Sequence, residues 1–124
     1  MAVIFAGDNQ AFEMHGARFT ALVSPKRGST RQSVWRVELA PGAPATLHQL
    51  TDEEVFVIQS GKARVSIGGS VTEAGAGDSI VVPKDTDFSI QTVGDVPLVA
   101  LVCFPVGGRA RLADGSEFTP PWAE

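Results

Sequence analysis

Turn-forming residues punctuate this chain about every 8–12 residues, the spacing of short strands in an all-β sandwich or barrel. Between the turns, apolar and polar residues alternate. In residues 33–40, Trp35, Val37 and Leu39 fall on one face and Val34, Arg36 and Glu38 on the other, the period of two that a half-buried strand requires. Ala17 to Val23 alternates in the same way between Gly16 and the Ser24-Pro25 pair. Two prolines and a glycine make residues 41–45 a loop, because proline has no N–H to give to a ladder. Glu54 to Ser60 and Lys62 to Ile67 flank Gly61, which reads as a tight hairpin position, and Gly68-Gly69 makes a two-residue turn before residues 70–73. Residues 78–82 end at Pro83, and Phe88 to Thr92 and residues 97–104 complete the regular segments. No stretch keeps an apolar period of about 3.6 residues over a helical length. The expectation is an all-β chain of about nine or ten short strands, closed into a small β-barrel or jelly roll that hides its strand edges.

The chain has 124 residues, 44% hydrophobic and 19% charged, which suits one domain with a single core. The reading is a single domain over residues 1–124, with an N-terminal arm over 1–16, the barrel over 17–113 and an extended tail over 114–124. The tail carries Trp122 after two prolines, and that ring is expected to anchor it on the barrel or on a partner subunit. A net charge of -4 lacks the clustered positive charge of a nucleic-acid footprint. Lys26, Arg27 and Arg31 do cluster, in a segment of loop composition that reads as a solvated loop or as an anion-binding lid over a barrel mouth. The single cysteine, Cys103, cannot form an internal disulfide, and its charge-free surroundings read as a buried strand. No basic segment followed by an apolar stretch opens the chain, and no apolar run approaches the ~20 residues of a membrane helix. A cytoplasmic protein that contacts neither membrane nor nucleic acid is expected.

Two spaced motifs carry a resemblance. The first runs Gly42, five residues, His48, one residue, Leu50, three residues, Glu54, six residues, Gly61; the second runs Gly77, five residues, Pro83, one residue, Asp85, two residues, Phe88. In order and spacing they resemble the two motifs of the cupin family, and the 15 residues between them, 62–76, resemble the short version of small microbial cupins. The resemblance implies a double-stranded β-helix and, in the family, a metal held by three histidines and a glutamate inside the barrel. Only His48 and Glu54 stand at those positions here. Leu50 and Phe88 occupy the other two, and neither side chain has a lone pair to give. Asp85 stands where the family usually has glycine, and its ability to take a left-handed backbone suits it to a turn.

Alternation places residues 48, 50, 54, 56 and 58 on one face, so the expected interior is His48, Leu50, Glu54, Phe56 and Ile58, with Phe88 from the second motif. Glu53 is sent to the opposite face. Two side-chain donors make a weak site for a transition metal, so no metal is expected, with a divalent ion on His48 and Glu54 as the lesser reading. His15, the other histidine, reads as a surface or turn residue. His48 and Glu54 could serve as a general acid and base, or could hydrogen-bond to one another. The first functional reading is a small-molecule-binding cupin with a metal-poor pocket. The alternatives are an enzyme, either a metal-independent isomerase or cyclase using His48 and Glu54 or a metal-dependent oxygenase with further ligands, and a structural dimer whose barrel is filled by Phe56, Ile58 and Phe88. A homodimer is expected in each case.

Overall fold

The computed structural model describes residues 2–124; Met1, the first residue of the expected arm, lies outside the described residues. In chain order the strands are β1 (Gln10–Met14), β2 (Ala17–Val23), β3 (Gln32–Leu39), β4 (Gln49–Leu50), β5 (Glu54–Ser60), β6 (Lys62–Ile67), β7 (Ser70–Gly75), β8 (Ser79–Val82), β9 (Phe88–Thr92), β10 (Leu98–Pro105), β11 (Ala110–Arg111) and β12 (Glu117–Phe118). One wall is a six-stranded sheet in the order β1-β2-β3-β10-β5-β8. Two three-stranded sheets, β7-β6-β9 and β12-β11-β4, form the other side. An antiparallel bridge between His48 and Phe88 joins these two, since Phe88 opens β9 and His48 precedes β4. The result is an antiparallel, all-β barrel of the jelly-roll class.

Period-two alternation puts the core where the sequence places it. Ser33, Trp35, Val37 and Leu39 are the buried positions of β3, and Glu54, Phe56 and Ile58 those of β5. Register then stacks them across the wall: Trp35 lies opposite Val102, which lies opposite Phe56, which lies opposite Ile80. Each such side chain contributes about 1.5–3 kcal/mol by leaving water. Glu53 is exposed while Glu54 is buried, as alternation requires.

Gly61 departs from its reading. It makes no hairpin, because β5 pairs with β10 and β8 while β6 pairs with β7 and β9. Gly61 is instead the corner at which the chain leaves one sheet for the other. Its φ of +80° and a Cβ position only 2.5 Å from the Pro97 carbonyl oxygen make glycine necessary there. Gly68-Gly69 does form the two-residue hairpin turn, between the paired residues Ile67 and Ser70.

Three further differences concern boundaries. Residues 10–14 of the expected arm are β1, an edge strand paired with β2 through the turn at His15-Gly16. In β10 only Leu98, Ala100, Val102 and Phe104 point inward; Val99, Leu101 and Cys103 are half-buried on the outer face, so the thiol is not a core group. The charge-free run has an apolar outer face as well as an apolar inner one. The tail is extended only in part, ending in a 3-10 turn at Pro121–Ala123. Trp122 lies flat on Phe19, with ring centroids 3.6 Å apart and 4° between planes, and meets Trp35 edge-on at 6.4 Å. The Ser33 hydroxyl, buried in β3, donates to the Ala123 carbonyl at 2.7 Å. The tail is thus anchored on the barrel of its own chain. Among the described residues no helix is long and apolar enough to cross a membrane.

Candidate functional site

Between the two walls lies a cavity of about 490 Å³. β3 lines it with Trp35, Val37 and Leu39, β5 with Glu54 and Phe56, and β9 with Phe88 and Ile90. Phe19 of β2 and Trp122 of the tail add two more rings, while Ala17, Ala43 and Ala110 leave room. The alternative of a filled barrel does not describe this interior. Phe56 and Phe88 pack against each other, ring centroids 5.6 Å apart, and form wall instead of filling the interior.

The structure brings His48, Glu54, Phe56 and Phe88 to this cavity. Leu50 and Ile58 are buried but do not line it. Leu50 packs in the core where β4 pairs with Ala110 of β11, and Ile58 lies one inward position farther along β5 than Phe56. Asp85 makes the turn, with φ of +57°, and its carboxylate accepts from Arg111 at 2.9 Å. The basic segment is no lid over the mouth: Lys26 pairs with Glu124 at 3.0 Å, and Arg27 ties the Ala21 carbonyl to Asn9.

His48 and Phe88 exchange backbone hydrogen bonds, and the imidazole meets the Phe88 ring edge-on at 5.4 Å. Nδ1 of His48 lies 2.8 Å from the Thr46 carbonyl oxygen. A carbonyl only accepts, so Nδ1 carries the hydrogen, and in the neutral ring Nε2 keeps its lone pair. No hydrogen bond joins His48 to Glu54 among the described residues, which sets aside the reading that they merely satisfy one another. Glu54 has no ion pair among those residues either, and burial among apolar side chains pushes its carboxyl up from 4.5 to about 8. A carboxyl in that state is neutral at pH 7 and can donate a hydrogen bond.

His15 reads from sequence as a surface or turn residue. It is an exposed turn residue, yet it lines the cavity mouth together with Met14, Thr46 and Leu112. Phe19, Trp35 and Trp122 were also missed as wall residues. The first two share the inward face with Val37 and Leu39, so alternation contained that signal.

The family model for the cupin domain matches residues 35–104, more than half of the chain. The chain belongs to the cupin family. An uncharacterized protein of Methanocaldococcus jannaschii is 31% identical over 74 residues, a match spanning 59% of this cupin and 59% of that relative. Among solved structures, the polyketide cyclase RemF from Streptomyces resistomycificus superposes with a TM-score of 0.77 and 19% identity, covering 98% of this chain and 88% of that one. An oxalate decarboxylase of Bacillus subtilis, described for its Mn(II) centres, gives a TM-score of 0.66 and 28% identity over 77% of this chain but only 27% of that one. This cupin's donors do not fit such a centre. Among the described residues no three His, Cys, Asp or Glu side chains converge, and Phe88 presents a ring where the motif would present an imidazole.

Proposed function

We propose that this cupin binds a flat, largely apolar small molecule, holding a polar oxygen of it on Glu54 and His48 without a metal ion. The observation that carries the reading is Glu54, a buried carboxyl on the wall of an apolar cavity with no charged partner among the described residues. It supplies a donor and His48 Nε2 an acceptor, within walls formed by Phe19, Trp35, Phe56, Phe88 and Trp122. Apolar walls with a few placed polar groups are the usual make-up of a small-molecule site. A carbonyl or hydroxyl on a conjugated ring system would match both groups.

A second reading is a proton-transfer enzyme, an isomerase or cyclase with Glu54 as acid and His48 as base. A carboxyl raised to about 8 favours it, since general acid catalysis works best with a pKa near the working pH. RemF shares the fold over 98% of this chain, so the architecture accommodates a cyclase. We also propose a homodimer through the outer face of the six-stranded sheet. There Val55 lies opposite Val81 and Cys103, and Leu101 opposite Val57, forming an apolar patch.

The test of the binding reading uses chelator-treated protein titrated with N-phenyl-1-naphthylamine and 2-naphthol. Saturable binding of one molecule per chain, with a rise in melting temperature by mass action, supports it. Glu54→Leu should keep the naphthylamine and weaken the naphthol. Absence of saturable binding, or binding that requires added metal, overturns it.

A further inference from the structure

The chain contains two histidines, and both line the same cavity, one within the barrel wall and one at the mouth. His15 opens the two-residue turn between β1 and β2, with φ of +50° followed by Gly16 at +82°. A hairpin turn with two left-handed positions is best served by Asn-Gly or Gly-Gly. Histidine is among the non-glycine residues that adopt the left-handed region most readily, so the turn holds an imidazole without a clash. The turn is also fixed in place. The Ala40 amide donates to the Gly16 carbonyl at 2.9 Å, and a Cβ on Gly16 would lie 3.0 Å from that of Ala43. His15 is thus held against the loop that supplies Ala43, Pro44 and Thr46 to the same mouth.

The imidazole is exposed and makes no hydrogen bond or ion pair with another described residue. The nearest acid in the chain, Glu13, is turned to Arg18 at 3.5 Å. Glu54 is the acid on the cavity wall, and it belongs to the buried group. The mouth therefore offers an imidazole donor that no protein acceptor occupies.

We propose that His15 is a specificity-determining residue of this site: it recognises an acidic oxygen group, such as a carboxylate, sulfonate or phenolate, carried by the ligand on the end opposite the one held at Glu54. The proposal rests on the reading of the cavity as a small-molecule site and extends it to a ligand with an apolar ring body and two polar ends. An imidazole hydrogen bond to an ionised oxygen is stronger than one to a neutral group, and a charged donor strengthens it further.

Two dyes with one skeleton test it. N-phenyl-1-naphthylamine is the neutral body, and 8-anilinonaphthalene-1-sulfonate is the same body bearing an anionic oxygen group; both brighten in apolar surroundings. Intact chain, His15→Gly and His15→Asn are titrated with each dye. Glycine and asparagine suit the left-handed turn, so the hairpin is kept in both variants. Removal of the imidazole should weaken the sulfonate dye by about tenfold, the scale of one hydrogen bond to a charged group, and leave the neutral dye unchanged. Equal loss of both dyes, or loss of neither, overturns the proposal while leaving the cavity reading intact. Failure of the intact chain to bind either dye overturns the cavity reading and the proposal with it.

Discussion

His48 and Phe88 face each other across an antiparallel bridge, the His48 amide donating to the Phe88 carbonyl at 3.0 Å and the Phe88 amide to the His48 carbonyl at 2.8 Å. A retained donor and a replaced one, as the two motifs assign them, are therefore direct neighbours. The backbone would bring an imidazole at position 88 beside that of His48.

That relationship lets a third donor be added. Phe88→His, beside His48 and Glu54 on the cavity wall, should create a chelating set where the described residues now offer two donors. Without metal the added polar group costs about 1–3 kcal/mol if it stays unpaired, so the variant should melt below the parent. Saturating Zn²⁺ or Ni²⁺ should raise its melting temperature and leave the parent unchanged. Melting curves with metal and with chelator decide it, and a folded variant indifferent to metal would mean that the three positions do not converge.

Glu54 should make stability fall as pH rises. Its folded pKa is raised from 4.5 to about 8, so between those values the folded chain holds a proton that the unfolded chain has lost. The stabilising effect of that proton is complete below about 4.5 and is lost as pH rises through about 8. Over that window the slope is at most about 1.4 kcal/mol per pH unit. Glu54→Gln has no proton to lose and should show a flatter profile, read from urea midpoints at pH 5, 6.5 and 8. A parent and variant with parallel profiles would show that Glu54 is not buried in its acid form.

The tail should contribute to stability through the Trp122 ring and not through its N–H. The indole Nε1 is buried without a partner, whereas the ring stacks on Phe19. Trp122→Ala should cost about 3–5 kcal/mol, as for other large aromatic deletions, and deletion of residues 119–124 at least as much. Trp122→Phe keeps a ring and removes the unsatisfied donor, so its cost should be far smaller. Thermal melts of the three variants check the order, and equal losses for Phe and Ala would contradict the stacking account.

The outer patch should govern assembly. Val57 and Val81 are 40% and 54% exposed on the face where Leu101 and Cys103 are half-buried. Val57→Lys with Val81→Lys should convert the proposed dimer to a monomer on gel filtration while leaving the melting temperature of dilute protein near that of the parent. A wild-type chain that elutes as a monomer at all concentrations would dismiss the interface.

Much of the barrel was legible because alternation is a local property. Trp35, Val37 and Leu39 announced an inner face, Glu53 and Glu54 were told apart by parity, and Gly68-Gly69 announced its hairpin. Gly61 was not legible as a corner, because a glycine turn looks the same whether the next strand pairs with the last or crosses to another sheet. The site divided along similar lines. His48, Glu54 and Phe88 came from the resemblance of the two motifs, and Phe56 from alternation. His15 and Trp122 are distant in sequence and come to the cavity only through the β1–β2 hairpin and the folded tail. Leu50 and Ile58 share the parity of the wall residues, yet facing inward is not the same as reaching a cavity, and the packing around each decides that.

The titration of Glu54 itself bears most directly on the account. The chain has seven glutamates, and ¹³C-carboxyl labelling followed by an NMR pH titration of chelator-treated protein resolves them. One carboxyl should titrate at about 8, disappear in Glu54→Gln, and shift when N-phenyl-1-naphthylamine is added. If the Glu54 carboxyl titrates in the ordinary carboxylate range, or does not respond to the dye that fills the cavity, the central claim is contradicted.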